Sequence, residues 1–190
     1  MKTSIQSLLA TGLMALVLST STVYAYEAPN TKAVSAKTAD LAAIQKIYVK
    51  GNVSVTLVQA PKSKAYFSRE NSEDVTVKKV GNALYIDSKN NINAAKITVY
   101  VDQIYRIDAS ENAFVDTKDV LNLKNLQIFL KDNAIAEIDS KTESLYTIVK
   151  DGAELKLKGH AAFYTMSMDK YAKVTLDKFS STKTDVKNAG

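Results

Sequence analysis

Four short segments late in the chain are versions of one another. They are Glu111-Asn112-Ala113-Phe114-Val115, Asp132-Asn133-Ala134-Ile135-Ala136, Asp151-Gly152-Ala153-Glu154-Leu155 and Lys170-Tyr171-Ala172-Lys173-Val174, with alanines 21, 19 and 19 residues apart. Each is followed by a second strand-like stretch: Leu126, Ile128 and Leu130; Leu145, Thr147 and Val149; Tyr164, Met166 and Met168; and Thr182, Thr184 and Val186. The last residues of these stretches are 19, 19 and 18 apart, so two separate columns keep nearly one period. A repeat of about 20 residues holding two short strands matches one coil of a solenoid, in which each unit buries its apolar side only by stacking on the next. Neighbouring coils would lie about 4.8 Å apart. Val115, Ala136, Leu155 and Val174 would then stack on one wall, and Ile128, Thr147 and Met166 on the other.

The pattern inside each strand supports this. Val53-Ser54-Val55-Thr56-Leu57 and Ile97-Thr98-Val99-Tyr100-Val101 place an apolar residue at every second position, the period of a half-buried strand. Asn112, Asn133, Gly152 and Tyr171 fall just before the repeated alanines. Asn and Gly tolerate the left-handed backbone of a tight corner, whereas Tyr171 does not suit it and predicts a different turn. Traced backward, Val53, Val77 and Ile97 extend one column and Phe67, Ile86 and Ile107 the other. The expected fold is all-β: about seven coils of 18–22 residues in a rod on the order of 33 Å long. A separate sandwich for the first coils is the alternative.

The chain begins differently. Lys2, the apolar run Leu8 to Leu18, and Val23-Tyr24-Ala25 follow the three-part order of a signal peptide cut after Ala25. That run is about half of the roughly 20 apolar residues a membrane-spanning helix needs. Residues 26–45 read as a linker rich in Ala, Thr and Lys, ending in a short helical turn near Asp40 to Ile44, and residues 46–190 as the folded domain. The expected location is extracytoplasmic: periplasm, cell surface or medium. The chain has no cysteine, which leaves neither a disulfide nor a lipid-anchoring residue.

From Ile47 onward the residues resemble a known domain family, described as putative auto-transporter adhesin, head GIN domain. Ile47-Tyr48-Val49-Lys50-Gly51-Asn52-Val53-Ser54-Val55-Thr56-Leu57 matches its opening stretch, and Gly81-Asn82-Ala83-Leu84-Tyr85-Ile86 a later strand. The family's repeated Ser-Gly-Ser/Ala corner corresponds to the segments around Ala113, Ala134, Ala153 and Ala172, of which only Asp151-Gly152-Ala153 keeps the glycine. The resemblance implies a right-handed parallel β-helix, an extracytoplasmic location and a role in adhesion. It implies no catalytic residue.

The remaining chemistry is sparse. The formal charge of +5 becomes +4 when Lys2 leaves with the signal, and the charges are interspersed, unlike a nucleic-acid track. His160 is the single histidine and stands in a turn-like Lys158-Gly159-His160-Ala161, without the paired spacing that a catalytic triad or zinc site requires. Calcium loops, phosphate loops and dinucleotide fingerprints are absent. Asp132-Asn133 and Asp139-Ser140 read as turn residues. The chain is therefore read as non-catalytic, with no cofactor and no metal. The leading function is a surface or envelope binding module; a structural envelope protein and a polysaccharide-acting enzyme are the alternatives.

Alternation also sends several apolar residues outward, where a solenoid should be polar. Phe114 and Ile135 form one such pair, and Phe129, Tyr146 and Ile148 a second group on the other wall. Adjacent apolar groups of this kind mark an interaction site or need a cover. The expected occupant is an envelope protein or a glycan, with the linker around Leu41 and Ile44 as the competing cover.

Overall fold

The computed structural model describes residues 31–32, 44–68, 75–89 and 93–188. The signal-peptide residues and Leu41 lie outside them, as does the expected helical turn up to residue 43. The described residues form thirteen strands: β1 (Thr31–Lys32), β2 (Lys46–Gly51), β3 (Val53–Gln59), β4 (Lys64–Ser68), β5 (Val75–Val80), β6 (Ala83–Ser88), β7 (Ala95–Val101), β8 (Arg106–Ser110), β9 (Phe114–Thr117), β10 (Leu121–Leu130), β11 (Ile135–Val149), β12 (Glu154–Met168) and β13 (Lys173–Asn188). No helix among them is long and apolar enough to cross a membrane.

Eleven strands follow one another in the order β1-β4-β7-β3-β9-β11-β10-β8-β2-β6-β5, and β12 and then β13 add to β11. β11 pairs with β9 through its first residues and with β10 through its later ones. Through that strand the sheet doubles back into a nearly closed, barrel-like wall around the core.

This corrects the expected right-handed parallel β-helix of about seven coils. The sheet is mixed: β1 with β4, β4 with β7, and β5 with β6 are antiparallel. Stacking order also departs from chain order. β3 lies directly between β7 and β9, and β2 directly between β6 and β8. Val55 therefore touches the Val115 register without an intervening layer, and residues 64–101 are added on the far side. Val77 and Phe67 run antiparallel to Ile86 and Ile97 and extend neither column as expected; Ile86 is in register with Val49, not with Ile107. The physical reason is connectivity: a short strand with matched alternation can pair on either edge and in either direction, and hairpin-like returns place β4 and β5 antiparallel.

The late period survives as parallel register. Val115, Ala136, Leu155 and Val174 face one another across β9, β11, β12 and β13, as Ile128, Thr147 and Met166 do across β10, β11 and β12. Leu84, Ile47 and Ile107 continue the second column inward from β6, β2 and β8. All are buried except Val174, which is half-buried on the terminal strand. Thr147 is the polar member, and its hydroxyl lies 3.1 Å from the buried Tyr164 hydroxyl, so neither is left without a partner. Burial lifts the Tyr164 phenol above its ordinary pKa. Strands β11, β12 and β13 run unbroken for 15, 15 and 16 residues through the expected second corner, bending instead of turning.

The remaining corners are built on acids. Left-handed backbone falls at Glu111, Asp132 and Asp151, one residue before the positions expected, with φ of 61°, 61° and 59°. Each of the corner N–H groups is capped from the next layer. Glu111 N donates to Asp132 Oδ2 at 3.1 Å, Asp132 N to Asp151 Oδ2 at 3.3 Å, and Asp151 N to Asp169 Oδ2 at 2.7 Å. Asp169 closes the ladder: its Oδ1 also accepts from Tyr171 N and Ala172 N, which is how the Tyr171 corner differs from the others. These bonds, chiefly the one from Asp151, hold the Asp169 carboxyl below its ordinary pKa.

A carboxylate whose folded pKa lies below its unfolded one stabilises the fold fully above the unfolded value, near 3.9 for Asp, and loses that effect as pH falls through the folded value. The melting temperature is thus expected to drop as pH falls below about 4. Asp169→Asn should flatten that drop while lowering the melting temperature at pH 7. Identical acid profiles for the two proteins would remove Asp169 from the account.

Candidate functional site: an aromatic trough on the outer wall

The outer faces of β6, β2, β8, β10 and β11 contribute one residue each to a single row. Tyr85 is in register with Tyr48, Tyr48 with Asp108, Asp108 with Phe129, and Phe129 with Ile148. Each stands between buried neighbours on its own strand, as Tyr48 does between Ile47 and Val49, so alternation forces it outward. The Tyr48 and Tyr85 rings stack at 4.7 Å with 7° between their planes. Phe129 lies 5.9 Å from the tilted ring of Tyr146, one row away. Tyr85 remains 42% exposed and Tyr48, Phe129 and Ile148 are half-buried.

Asp108 would interrupt this row, but Arg106 covers the gap. Its Nε and Nη2 donate to the two Asp108 carboxylate oxygens at 2.6 and 2.9 Å. The guanidinium carbon then lies 4.1 Å from the Phe129 ring centroid and 5.9 Å from that of Tyr48. A planar guanidinium stacks on aromatic faces as an ammonium cannot. Bonded to Asp108, it holds its proton still more firmly than an ordinary arginine. Tyr85, Tyr48, Arg106 and Phe129 thus make a nearly continuous stack, face on face, that turns its edges outward.

Tyr85, Tyr48 and Phe129, with Asp108 and Ile148 of the same row, form the floor of an open trough of about 510 Å³; Arg106 stands outside its lining. Along one lip stand Asp87, Lys50, Ser110, Lys131 and Lys150, the row two residues beyond the floor. Lys50 lies 3.3 Å from Glu111 and Lys131 lies 3.9 Å from Asp132, in exposed pairs. Lys150 makes no ion pair among the described residues, and Asp169 senses it only through space.

Of the residues expected to form a patch, Phe129 and Ile148 line the trough and Tyr146 flanks Phe129. Phe114 and Ile135 do pair in register, but on β9 and β11 and outside the trough. Ile44 does not cover the patch: it is buried in the core. Sequence reasoning missed Tyr48, Tyr85 and Arg106. The signal was present, since Ile47-Tyr48-Val49 and Leu84-Tyr85-Ile86 are the same inward-outward-inward triplet. What hid it was the belief that strands stack in chain order. His160 lies elsewhere, beside a shallow depression, with Nδ1 3.0 Å from Ser180 Oγ.

The fold and this face define an all-β domain with an aromatic, cation-lipped outer wall. The chain belongs to the family described as putative auto-transporter adhesin, head GIN domain, which it matches over residues 43–190. Among solved structures it is similar to a putative adhesin of Bacteroides fragilis, at 15% identity and a TM-score of 0.65 over 76% of this chain and 71% of that one. A putative adhesin and a putative lipid binding protein, both of Parabacteroides distasonis, are similar at 12% and 10% identity. Their TM-scores are 0.57 and 0.56, over 77% and 76% of this chain and 74% of each of theirs. No curated protein matches the chain.

Proposed function

We propose that this protein is an extracytoplasmic binding module that works in adhesion, and that the trough over β6, β2, β8, β10 and β11 is its binding face. One observation carries the reading: rings and a stacked guanidinium occupy registered outward positions, where a wall facing only water would be polar. Family membership and the signal-like first 25 residues support the surface or extracellular location. An envelope component or a glycan is the partner class; nucleic acid is not, because the charges along the chain are mixed. The module is non-catalytic on this reading. Asp108, the acid at the centre of the trough, is held by Arg106 through both of its oxygens, and His160 is remote from it.

Beads coated with the purified protein should retain isolated cell-envelope fragments and adhere to glycan-coated plates. The double variant Tyr48→Ser/Phe129→Ser should lose most of that retention while melting within a few degrees of the parent. Undiminished retention by the variant would take the function away from this face. A large fall in melting temperature would mean that the face is covered in the native protein and is not free to bind.

A further inference from the structure

The last strand of the sheet has one neighbour. Among the described residues β13 pairs with β12 alone, and its other edge runs for 16 residues with no strand beside it, a length of roughly 50 Å. The core shows the same gap. Leu155, Leu157 and Met166 of β12 are buried, whereas Val174, Leu176 and Phe179 of β13 are half-buried and Val186 is 53% exposed. An edge with free N–H and C=O groups beside an unfinished apolar column is a template for another strand. We infer that this strand is β13 of a second copy, running antiparallel about a two-fold axis at Ser180 and closing the two open ends against each other.

The order of faces along β13 selects this occupant. Register with Leu155, Gly159, Ala161, Tyr164 and Met166 turns Val174, Phe179, Ser181, Thr184 and Val186 inward, and Leu176 packs on the core between the first two. From Val174 to Val186 the inward residues advance by two, three, two, three and two positions, an order that reads alike from either end with Ser180 at its centre. The first step of three is the β-bulge opposite Lys156 to Lys158; β12 itself runs two, two, two, three and two from Leu155 to Met166 and has no such symmetry. An antiparallel copy therefore sets Val174 opposite Val186, Leu176 opposite Thr184 and Phe179 opposite Ser181, inward on inward, each pair occurring twice. The Ser181 and Thr184 hydroxyls bond to each other, so neither brings an unmet polar group to the column.

Charge agrees with the same register. Asp177 meets Lys183, again twice, and Thr175 meets Asp185. Lys173 meets Lys187, but each already has an acid: Lys173 Nζ lies 3.1 Å from Glu154 and Lys187 Nζ 3.9 Å from Asp185. Sliding the copy by one residue pair sets Leu176 against the exposed Thr182 in one direction and Asp177 against Asp185 in the other. Lysines that repel a foreign strand are thus compatible with this one. The pairing does not depend on what the trough binds; it places two troughs on each particle, a basis for avidity.

The test is sedimentation equilibrium of the full protein over about a hundredfold range of concentration, with cysteine cross-linking to fix the register. The expected mass is that of two chains. Val186→Asp should weaken the pair by at least about a hundredfold, since the lesion enters twice, and leave the fold intact because Val186 is exposed within one copy. Asp177→Lys should weaken it as well, and adding Lys183→Asp should restore it. The chain has no cysteine, so a single one reports its own neighbour. Residues directly opposite in an antiparallel pair have Cα atoms about 4.5–5.5 Å apart, within reach of a disulfide. Ser180→Cys should cross-link to itself on mild oxidation. Lys178→Cys and Thr182→Cys should each fail alone and cross-link when mixed. A single-chain mass throughout overturns the inference, and β13 amides protected from hydrogen exchange in that monomer would show the chain's own residues covering the edge. A two-chain mass without the Ser180→Cys cross-link overturns it in favour of a dimer through another face. Mass that keeps rising beyond two chains overturns the closed pair in favour of open-ended stacking.

Discussion

Leu155→Asp is expected to leave the protein without a cooperative thermal transition near neutral pH. Leu155 is 0% exposed and stands in the apolar column between Ala136 and Val174, in register with both. A carboxylate there has no donor arranged to meet it, and burying a charge or an unpaired polar group costs several kcal/mol. A domain of this size is stable by only about 5–15 kcal/mol, so the change removes much of the margin. Leu155→Ala, which only leaves a cavity, should cost about 2–5 kcal/mol and still unfold cooperatively. Lys156→Asp supplies the control one residue on. Lys156 Nζ lies 2.8 Å from Glu137 and 3.9 Å from Glu154, so the variant gathers three carboxylates on neighbouring strands, yet in water. Its cost should stay near 1 kcal/mol or below. Equal losses in urea denaturation for Leu155→Asp and Lys156→Asp would mean that the inward and outward faces of β12 are assigned the wrong way round.

Gly159→Ala should destabilise by about 2–5 kcal/mol, far more than an alanine usually does. Gly159 sits where β12 bends from one wall to the other, with φ of +95°, paired to Ser140 on β11 and Phe179 on β13. A side chain in left-handed backbone costs about 1–2 kcal/mol. The added Cβ would also run into the Ser140 carbonyl oxygen and lie 3.0 Å from Asp139 Oδ1. That carbonyl belongs to the β11 strand, so it cannot swing aside as a side chain could, and the strain adds roughly 1–3 kcal/mol. Gly81→Ala separates the two causes. Gly81 has φ of +59° but nothing within 4 Å of its would-be Cβ, so it should lose only the backbone part. At roughly 2–4 °C per kcal/mol for a domain this size, the melting temperatures should differ visibly. Equal falls for both would show that the close approach of β12 to β11 at Ser140 has no energetic consequence.

Much of the late half of the molecule was legible because its information is local. Alternation told which of Ala136, Glu137 and Ile138 faces inward, and the 19-residue spacing told that Ala136 meets Leu155. The corners were legible in position but not in mechanism. Asn112 and Asn133 suggested left-handed backbone, yet it falls one residue earlier, at Glu111 and Asp132. An acid accepts that conformation here because the next layer's carboxylate meets its N–H, and such a cap is invisible until the layers are stacked. Tyr171 marked the odd corner correctly, and Asp169, which replaces the ladder's next rung there, could be recognised only from its bonds.

By itself the sequence determined that the chain is all-β, which faces of its strands are apolar, and that β10 to β13 lie side by side, because each depends only on neighbouring residues or a constant spacing. Tertiary structure alone decided who stands next to whom among the earlier strands. β2, β3, β6 and β7 have nearly the same alternation, so pattern cannot rank their possible neighbours; packing of side chains and the reach of the connecting chain do. That choice set β2 beside β8, brought Tyr48 into line with Asp108 and so with Phe129, and left β4 and β5 antiparallel on a sheet that curls into a wall and not a helix. The trough exists only because strands far apart in the chain share one edge-to-edge register, and register between distant strands is a property of the folded whole.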